Sequence, residues 1–546
     1  MPPDTDLSHK EMLVLMTEDL TLFTDERGAP YVRLPVDGHL ETLPVAGRHF
    51  RSWLAHQFNL MTGKVPAGAT LKDALQVVEG RALFGGGRHR LSNRLARWNG
   101  FIWLDMADED WRAVRIGPKG WKIEDNPPPL FRRYAHQEAQ VEPEPGGELA
   151  DVLPLLNISD EDAKVLLLVW LVVALVPDIP RAVVNLYGPQ GSAKSMLTRL
   201  LRNLIDPSAV PIPRFPRSDA EMAQVLDHNC CAFFDNLSDL NQHRSDTLCR
   251  AVTGDGFSKR KLYSDDDDVL YQFRRLLVLN GINVPATRPD LLDRSILVNL
   301  KPIRKELRRE ERELIAEFDA IRPTLVGAML DALSQAMHVV HDIKLTELER
   351  MADWTRWGCA AAEALGIGQD RFLGAYRRNR VGQNREALGS HPVGAAVLAF
   401  MEDHDEWIGQ PAVLLEELEK IAEEEKIDMR SKLWPGSASW LSKRLAEVET
   451  NLTEAGIMFS RGAGDERRIR LARDGAANAV GGVGGVQVAA MLEVPPDATT
   501  DGTDGIQNGD GIASDRNALD DSELHATDAT DAIFATLHSP GNDDRS

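Results

Sequence analysis

The sequence predicts an α/β protein of several domains: an α/β core, a β-rich segment before it, helical and mixed segments after it, and an acidic tail. Three observations predict this. Between Asp151 and Leu300, helical runs alternate with the apolar strands "AVVNLYG", "CCAFFDN", "RRLLVLNG" and "SILVNL", the pattern of a largely parallel sheet buried on both faces. The stretch "LYGPQGSAKSMLTRLL", residues 186–201, reads as a strand's end, a glycine-bearing turn and the start of an apolar helix. Beyond Gly475, 13 acidic residues stand against Arg516 and Arg545, which is half of the formal net charge of -22.

At 546 residues the chain exceeds what one hydrophobic core organises. Residues 1–147 alternate short β-like runs with turns, as in "APYVRLPV", "FIWLDM" and "WRAVRIGPKGWKI", and read as a β-rich accessory domain. "VEPEPGGE" reads as a linker, because paired prolines and glycines end regular structure. Residues 148–300 are the α/β core. Residues 301–385 read as helical and charged, with "RKELRREERELIAEF" bringing opposite charges four apart. Residues 386–473 read as helix, helix and a two-stranded wing made by "IMFSRG" and "RRIRLA". Residues 474–546, with few aromatics, cannot bury enough apolar surface to order themselves.

The net charge first suggests a chain that avoids polyanions. With half of it in the tail, the folded body stays open to nucleic acid. Cys230, Cys231, Cys249 and Cys359 show neither C-x-x-C spacing nor a dense framework, which fits a reducing cytoplasm and offers no zinc site. "MPPDTDLSHKEM" lacks a basic stretch followed by an apolar one, so no leader is expected. The longest apolar run, 12 residues from Val165 to Val176, stops at Pro177, well short of the about 20 that a spanning helix needs. A buried helix is expected there, and no membrane.

Residues 188–195, GPQGSAKS, nearly spell the phosphate loop G-x-x-x-x-G-K-[ST], with Ala193 where the second glycine belongs. Such a loop works because small residues let backbone N–H groups converge on a phosphate at a helix N-terminus, where the helix dipole also favours anions. Gly188, Pro189, Gln190, Gly191, Ser192, Ala193, Lys194 and Ser195 are the candidate ATP contacts. Lys194 would neutralise the β- and γ-phosphates and Ser195 would ligate Mg²⁺. The alanine methyl fits if its backbone keeps φ below zero. An ordinary strand-turn-helix corner would look similar. Downstream, "CCAFFDN" is an apolar strand ending in Asp235, placed to hold the Mg²⁺ water shell, or equally to cap a turn. "RRLLVLNGIN" ends in Asn280, which could hold an attacking water, and "RPDLLDRSILVNL" supplies Arg294, which could reach a neighbouring subunit's nucleotide. A strand-end Asn also makes turns, and a surface Arg also pairs with acids.

The ordered series GPQGSAKS, FFDN, LNGI and LLDR resembles the core of the AAA+ ATPases, in the ring-helicase branch that holds superfamily 3 and the phage or plasmid primase-helicases. The resemblance covers roughly residues 160–300. Minichromosome-maintenance helicases also carry a G-x-x-G-x-A-K-S loop, so Ala193 is no defect on that comparison. The resemblance implies that Gly188 to Ser195 bind the phosphates, Asp235 binds Mg²⁺, Asn280 acts as sensor and Arg294 as a finger acting in trans. It also implies a homo-hexameric ring on DNA, a role in DNA replication, and a lid formed by the helical stretch "IRPTLVGAMLDAL", with Arg322 as a nucleotide contact. One departure stands out: Asn236 follows the magnesium Asp where many AAA+ enzymes have a Glu. Asn accepts no proton, so another group, such as Asp239, must serve as base.

Three stretches offer DNA contacts. Phe257 to Tyr263 and Val269 to Arg275 read as a β-hairpin ahead of the Asn280 strand. In the resembling helicases such a hairpin enters the central channel, where Lys259, Arg260 and Lys261 would grip single-stranded phosphates. Otherwise those bases pair with Asp265 to Asp268 in a solvated turn. A helix with Ser442, Lys443 and Arg444, followed by a wing with Arg461, Arg467, Arg468 and Arg470, resembles a winged helix, which binds DNA or protein. "FGGGRHRLSNRLARWNGFIW" mixes Arg88, Arg90, Arg94 and Arg97 with Trp98 and Phe101, which suits single-strand stacking or simply a packed domain with a basic loop. The expected activity is ATP-driven DNA unwinding or translocation. The rival from another class is a nucleotide-binding DNA-binding regulator or scaffold that separates no strands, and a third is a helicase loader.

Overall fold

Val183–Tyr187, Cys231–Leu237, Leu276–Gly281 and Ser295–Asn299 are apolar runs too short for stable helices. In the computed structural model they pair as a four-stranded, wholly parallel sheet in the order Cys231–Leu237, Leu276–Gly281, Val183–Tyr187, Ser295–Asn299. The structure describes residues 7–237, 240–255, 257–260, 268–271, 274–286, 288–462 and 468–473. The acidic tail, Asp239, Lys261 and Arg467 lie outside these, and the described residues all belong to the first of two units divided at Val480 and Gly481. Because the four strands are parallel, their carboxyl ends share one edge. Tyr187 stands opposite both Gly281 and Asn299, and Leu237 opposite Gly281.

Helices cover this sheet. Lys194–Ile205 buries Leu197, Leu200, Leu201, Leu204 and Ile205, a spacing that keeps one face apolar. Glu161–Val173 is apolar nearly all round; every residue from Leu166 to Val173 is buried, and Asp160 caps its start by accepting the N–H of Asp162. The Trp170 indole N–H donates to the Ala182 carbonyl at 2.8 Å, so its one polar atom is satisfied inside. The apolar run is therefore a core helix. Among the described residues no helix is long and apolar enough to cross a membrane.

The first 131 residues hold two further four-stranded sheets, together with the helices Arg48–Thr62 and Gly68–Gly85. Leu95, Ile102, Leu104, Val114 and Ile116 join the same buried cluster as the parallel sheet and the helices up to Tyr376. In the stretch read as a stacking surface for single strands, Arg94 and Arg97 serve this joint instead, whereas Arg88, Arg90 and Trp98 are exposed. Arg94 is wholly buried, donating to the Asp206 carboxylate at 3.0 Å and to the carbonyls of Asp105, Glu138 and Pro207. Arg97 pairs with Asp178 at 2.9 Å, and Arg88 donates to the Glu26 carbonyl. A guanidinium wrapped in carbonyls and a carboxylate cannot turn outward without leaving them unpaired.

After the last core strand, residues 301–310 form no α-helix. They contain only the short 3-10 turn Lys305–Leu307, and the long helix begins at Glu311 and runs to Val339. The expected helix from 301 fails because this stretch is tied across the glycine loop: the N–H of Leu300 donates to the Tyr187 carbonyl at 2.8 Å and that of Ile303 to the Gly191 carbonyl at 3.1 Å. Helices Ala352–Ala364 and Gln369–Ser390 follow. Residues 392–473 then build a separate core from helices Pro392–Phe400, Pro411–Glu424 and Ala438–Glu447 and a three-stranded antiparallel sheet, with Ile469–Arg473 between Glu406–Gly409 and Ile457–Arg461.

Candidate functional site

The carboxyl edge of the parallel sheet is where such sheets place ligands, because the turns into the following helices leave a crevice there. The glycine loop leaves Val183–Tyr187 at this edge. Gly188 has φ 147, and any Cβ on it would fall 2.1 Å from the Leu300 carbonyl oxygen, so only glycine fits. Gly191 has φ 77. Ala193, at the N-cap of Lys194–Ile205, has φ 61 and ψ 25. The expectation of a negative φ is thus overturned: the chain must reverse into the helix in a left-handed turn, and an L-residue does so at about 1–2 kcal/mol.

Lys194 Nζ donates to the carbonyls of Gly188 at 2.7 Å and Pro189 at 2.9 Å, and lies 3.3 Å from Ser192 Oγ. Burial lowers its pKa, and the Asp235 charge opposes that shift. Ser195 Oγ donates to Asp235 Oδ2 at 2.8 Å. Asp235 reaches the serine because its strand loses register between Phe234 and Leu237, where Asn236 takes φ 58 and gives its N–H to Asp235 Oδ1 at 2.7 Å. Asn tolerates this conformation through its short polar side chain. Asn280 is fully buried on the inner strand Leu276–Gly281; its Nδ2 is 3.4 Å from Thr198 Oγ1 and its Oδ1 has no partner among the described residues. Lys194, Ser195, Asp235, Asn236 and Asn280 all line one cavity of about 350 Å³. A larger cavity of about 860 Å³, walled by Pro211 to Phe215, meets it at Ser195 and Asp235.

The other expected residues lie elsewhere. Arg294 precedes the strand Ser295–Asn299, at the opposite end of the sheet from the loop, about 16 Å away at the rise of a strand. Its side chain is 19% exposed and donates to the Asp290 carbonyl at 2.5 Å. Arg322 is no neighbour of the loop: it donates to Gln140 Oε1 at 2.9 Å, on a helix face packed against the linker. Lys259 and Arg260 lie in the strand Phe257–Arg260, paired antiparallel with Asp268–Tyr271 as the hairpin reading expects, and Lys261 falls outside the described residues. Lys443 is exposed, whereas Arg444 is largely covered, bound to Glu447 at 2.6 Å and to the Lys432 carbonyl.

Sequence reasoning missed two residues at the loop. Asn157 Nδ2 bridges the carbonyls of Ser192 at 3.0 Å and Lys301 at 2.6 Å, locking the loop to the crossing segment. The Arg308 guanidinium would lie 3.8 Å from a Cβ placed on Gly191. The signal for Arg308 was the basic run "KPIRKELRR" directly after a core strand; nothing in the sequence marked Asn157.

No curated protein matches the chain. Among solved structures, the apo A form of the NrS-1 C-terminal region aligns over 84% of this chain and 97% of that one, with 12% identity and a TM-score of 0.38. JCV helicase aligns over 40% of this chain and 65% of that one, with 16% identity and a TM-score of 0.23. Both likenesses are too distant to assign an activity. Residues 149–380 match the model of the actinomycete integrative conjugative element replication protein, and residues 393–482 match the C-terminal domain model of that same protein. The two matches adjoin, describe one protein and span more than half of the chain, so it belongs to the family of actinomycete integrative conjugative element replication proteins.

Proposed function

We propose that this replication protein is an ATP-dependent DNA motor: an AAA+ ATPase of the ring-helicase branch, with a winged helix over 386–473, acting in the cytoplasm as a hexamer around a single strand. One observation carries the reading. A loop lysine, a serine hydrogen-bonded to a carboxylate and a buried amide oxygen without a partner converge on one cavity at the carboxyl edge of a parallel sheet.

The residues fit a magnesium nucleotide. Ser195 and Asp235 offer two hard oxygen donors side by side, the kind Mg²⁺ selects. Gly188 lets the loop pack tightly against the Leu300 carbonyl, and Gln190 to Ser195 line the cavity that phosphate oxygens would enter at the helix start. When bound, the magnesium nucleotide supplies the phosphoanhydride whose cleavage drives the cycle. Lys194 would exchange its two carbonyl partners for the β- and γ-phosphates, Ser195 and Asp235 would hold the metal, and Asn280 Oδ1 would accept from the attacking water. Asn236 cannot take that water's proton. Arg294, at the wrong end of the sheet for its own loop, acts on the adjoining subunit's phosphates. Lys259, Arg260 and Lys261 hold the strand that the hairpin moves.

The test is ATP hydrolysis and displacement of a labelled strand from a fork, in wild type and Lys194→Ala. The motor reading expects DNA-stimulated hydrolysis and displacement in wild type and neither in the variant. Hydrolysis without displacement on any fork would support the second reading, a nucleotide-binding DNA regulator, scaffold or loader. Asn236, in place of a carboxylate next to Asp235, favours that alternative.

A further inference from the structure

Past the acidic helix Pro411–Glu424 the charge reverses. Residues 426–444, "KIDMRSKLWPGSASWLSKR", carry Lys426, Arg430, Lys432, Lys443 and Arg444 against the single acid Asp428. Arg444 is taken up within the fold, as described. Lys426, Arg430, Lys432 and Lys443 are exposed and make no ion pair among the described residues. The helix Ala438–Glu447 buries Leu441, Ser442 and Leu445 and turns Trp440 and Lys443 outward, one turn apart. Trp440 is 51% exposed, takes no part in the core of its module, and has Lys443 Nζ 4.7 Å from its ring centre. The Arg444 guanidinium lies 5.7 Å from the same ring, so the indole gains a modest cation–π contact on the fold side and leaves half of its large apolar area uncovered.

We propose that Trp440 and Lys443 form a contact for duplex DNA. Lys443 neutralises a phosphate while the indole packs on the sugar and base edges of the adjoining groove. Lys426, Arg430 and Lys432 extend the phosphate track. A run of four unpaired cations beside one acid is complementary to a polyanion, which selects nucleic acid over a second copy of this acidic chain. This deepens the DNA-motor reading and rests on it. The hairpin holds a single strand, and this helix holds the duplex ahead of it.

The experiment uses the full chain and a fluorescently labelled duplex, with binding followed by anisotropy over a range of salt concentrations. Trp440→Ala is expected to weaken duplex binding roughly tenfold without changing the salt slope, as loss of a stacking contact would, and Trp440→Phe to restore most of it. Lys443→Ala is expected to weaken binding and to reduce the slope of log K against log salt by about 1. Both positions are exposed, so the variants should fold like wild type by circular dichroism; Lys443→Glu, equally exposed, should abolish duplex binding. Unchanged duplex affinity in Trp440→Ala and Lys443→Glu overturns the inference. If the hairpin variants still lose single-strand binding in that case, the motor reading stands alone. If wild type binds neither single strand nor duplex, that reading fails as well. A Trp440→Ala that loses self-association but keeps duplex affinity assigns the face to protein and also overturns the inference.

Discussion

Ala193 is an L-residue in a turn that favours glycine. Replacing it should relieve about 1–2 kcal/mol of backbone strain and restore about 0.4–1 kcal/mol of freedom to the unfolded chain. Ala193→Gly is therefore expected to stabilise the protein by up to about 1.6 kcal/mol in urea unfolding and to leave ATP affinity intact; a clear loss of stability would mean that the methyl packs usefully. The letter at 193 was plain in the sequence, but its φ was not, because backbone sign depends on how the loop meets the crossing segment at Leu300 and Ile303. Arg308 depends on the same crossing. If it faces the bound phosphates, Arg308→Ala should lower ATP affinity about tenfold, the size of one charge-assisted hydrogen bond. Isothermal titration reads this directly, and wild-type affinity in the variant would reduce Arg308 to a surface charge.

The N-terminal sheets are riveted to the core by the wholly buried pair Arg94 and Asp206. Burial alone would raise the Asp206 pKa, but the charges of Arg202 and Arg94 and the Arg94 hydrogen bond outweigh it and hold the carboxyl below its ordinary value. A depressed carboxylate contributes stability that is fully present above its unfolded pKa, near 4, and is lost as pH falls through the lower folded value. Arg94→Met strands a buried charge and is expected to cost about 3–5 kcal/mol at neutral pH. Its acid unfolding should begin at higher pH than in wild type. Circular dichroism across a pH series checks both, and a variant as acid-resistant as wild type would mean that Arg202 alone holds the Asp206 carboxylate in its charged form. Sequence reading took Arg94 for a surface base because its partner stands 112 residues away, beyond any local pattern. The hairpin was legible by contrast, since alternation and its place before the Asn280 strand are local. Lys259→Ala, Arg260→Ala and Lys261→Ala together should abolish strand displacement while ATP binding persists; unchanged unwinding in that assay removes the hairpin's role.

Arg294 and the loop occupy opposite ends of one sheet, so a single chain cannot complete the proposed catalytic set. Mixing decides the matter. Lys194→Ala and Arg294→Ala are each expected to be inactive alone, and an equimolar mixture should regain ATP hydrolysis, because some interfaces then pair an intact loop with an intact arginine. If Arg294→Ala hydrolyses like wild type, or the mixture stays silent, the arginine does not act across subunits.

The order of motifs along the chain already singled out the glycine loop, its lysine and serine, the acid and the asparagine, because each sits at a strand end whose period and flanks are local. Parallel pairing then brought these separate strand ends to one edge. Which way each side chain faces, and which cations remain unpaired, followed from packing between distant segments. The left-handed turns at Ala193 and Asn236, the concealment of Arg94, Arg322 and Arg444, and the exposure of Trp440 all arise there, where burial and charge pairing outweigh local preference.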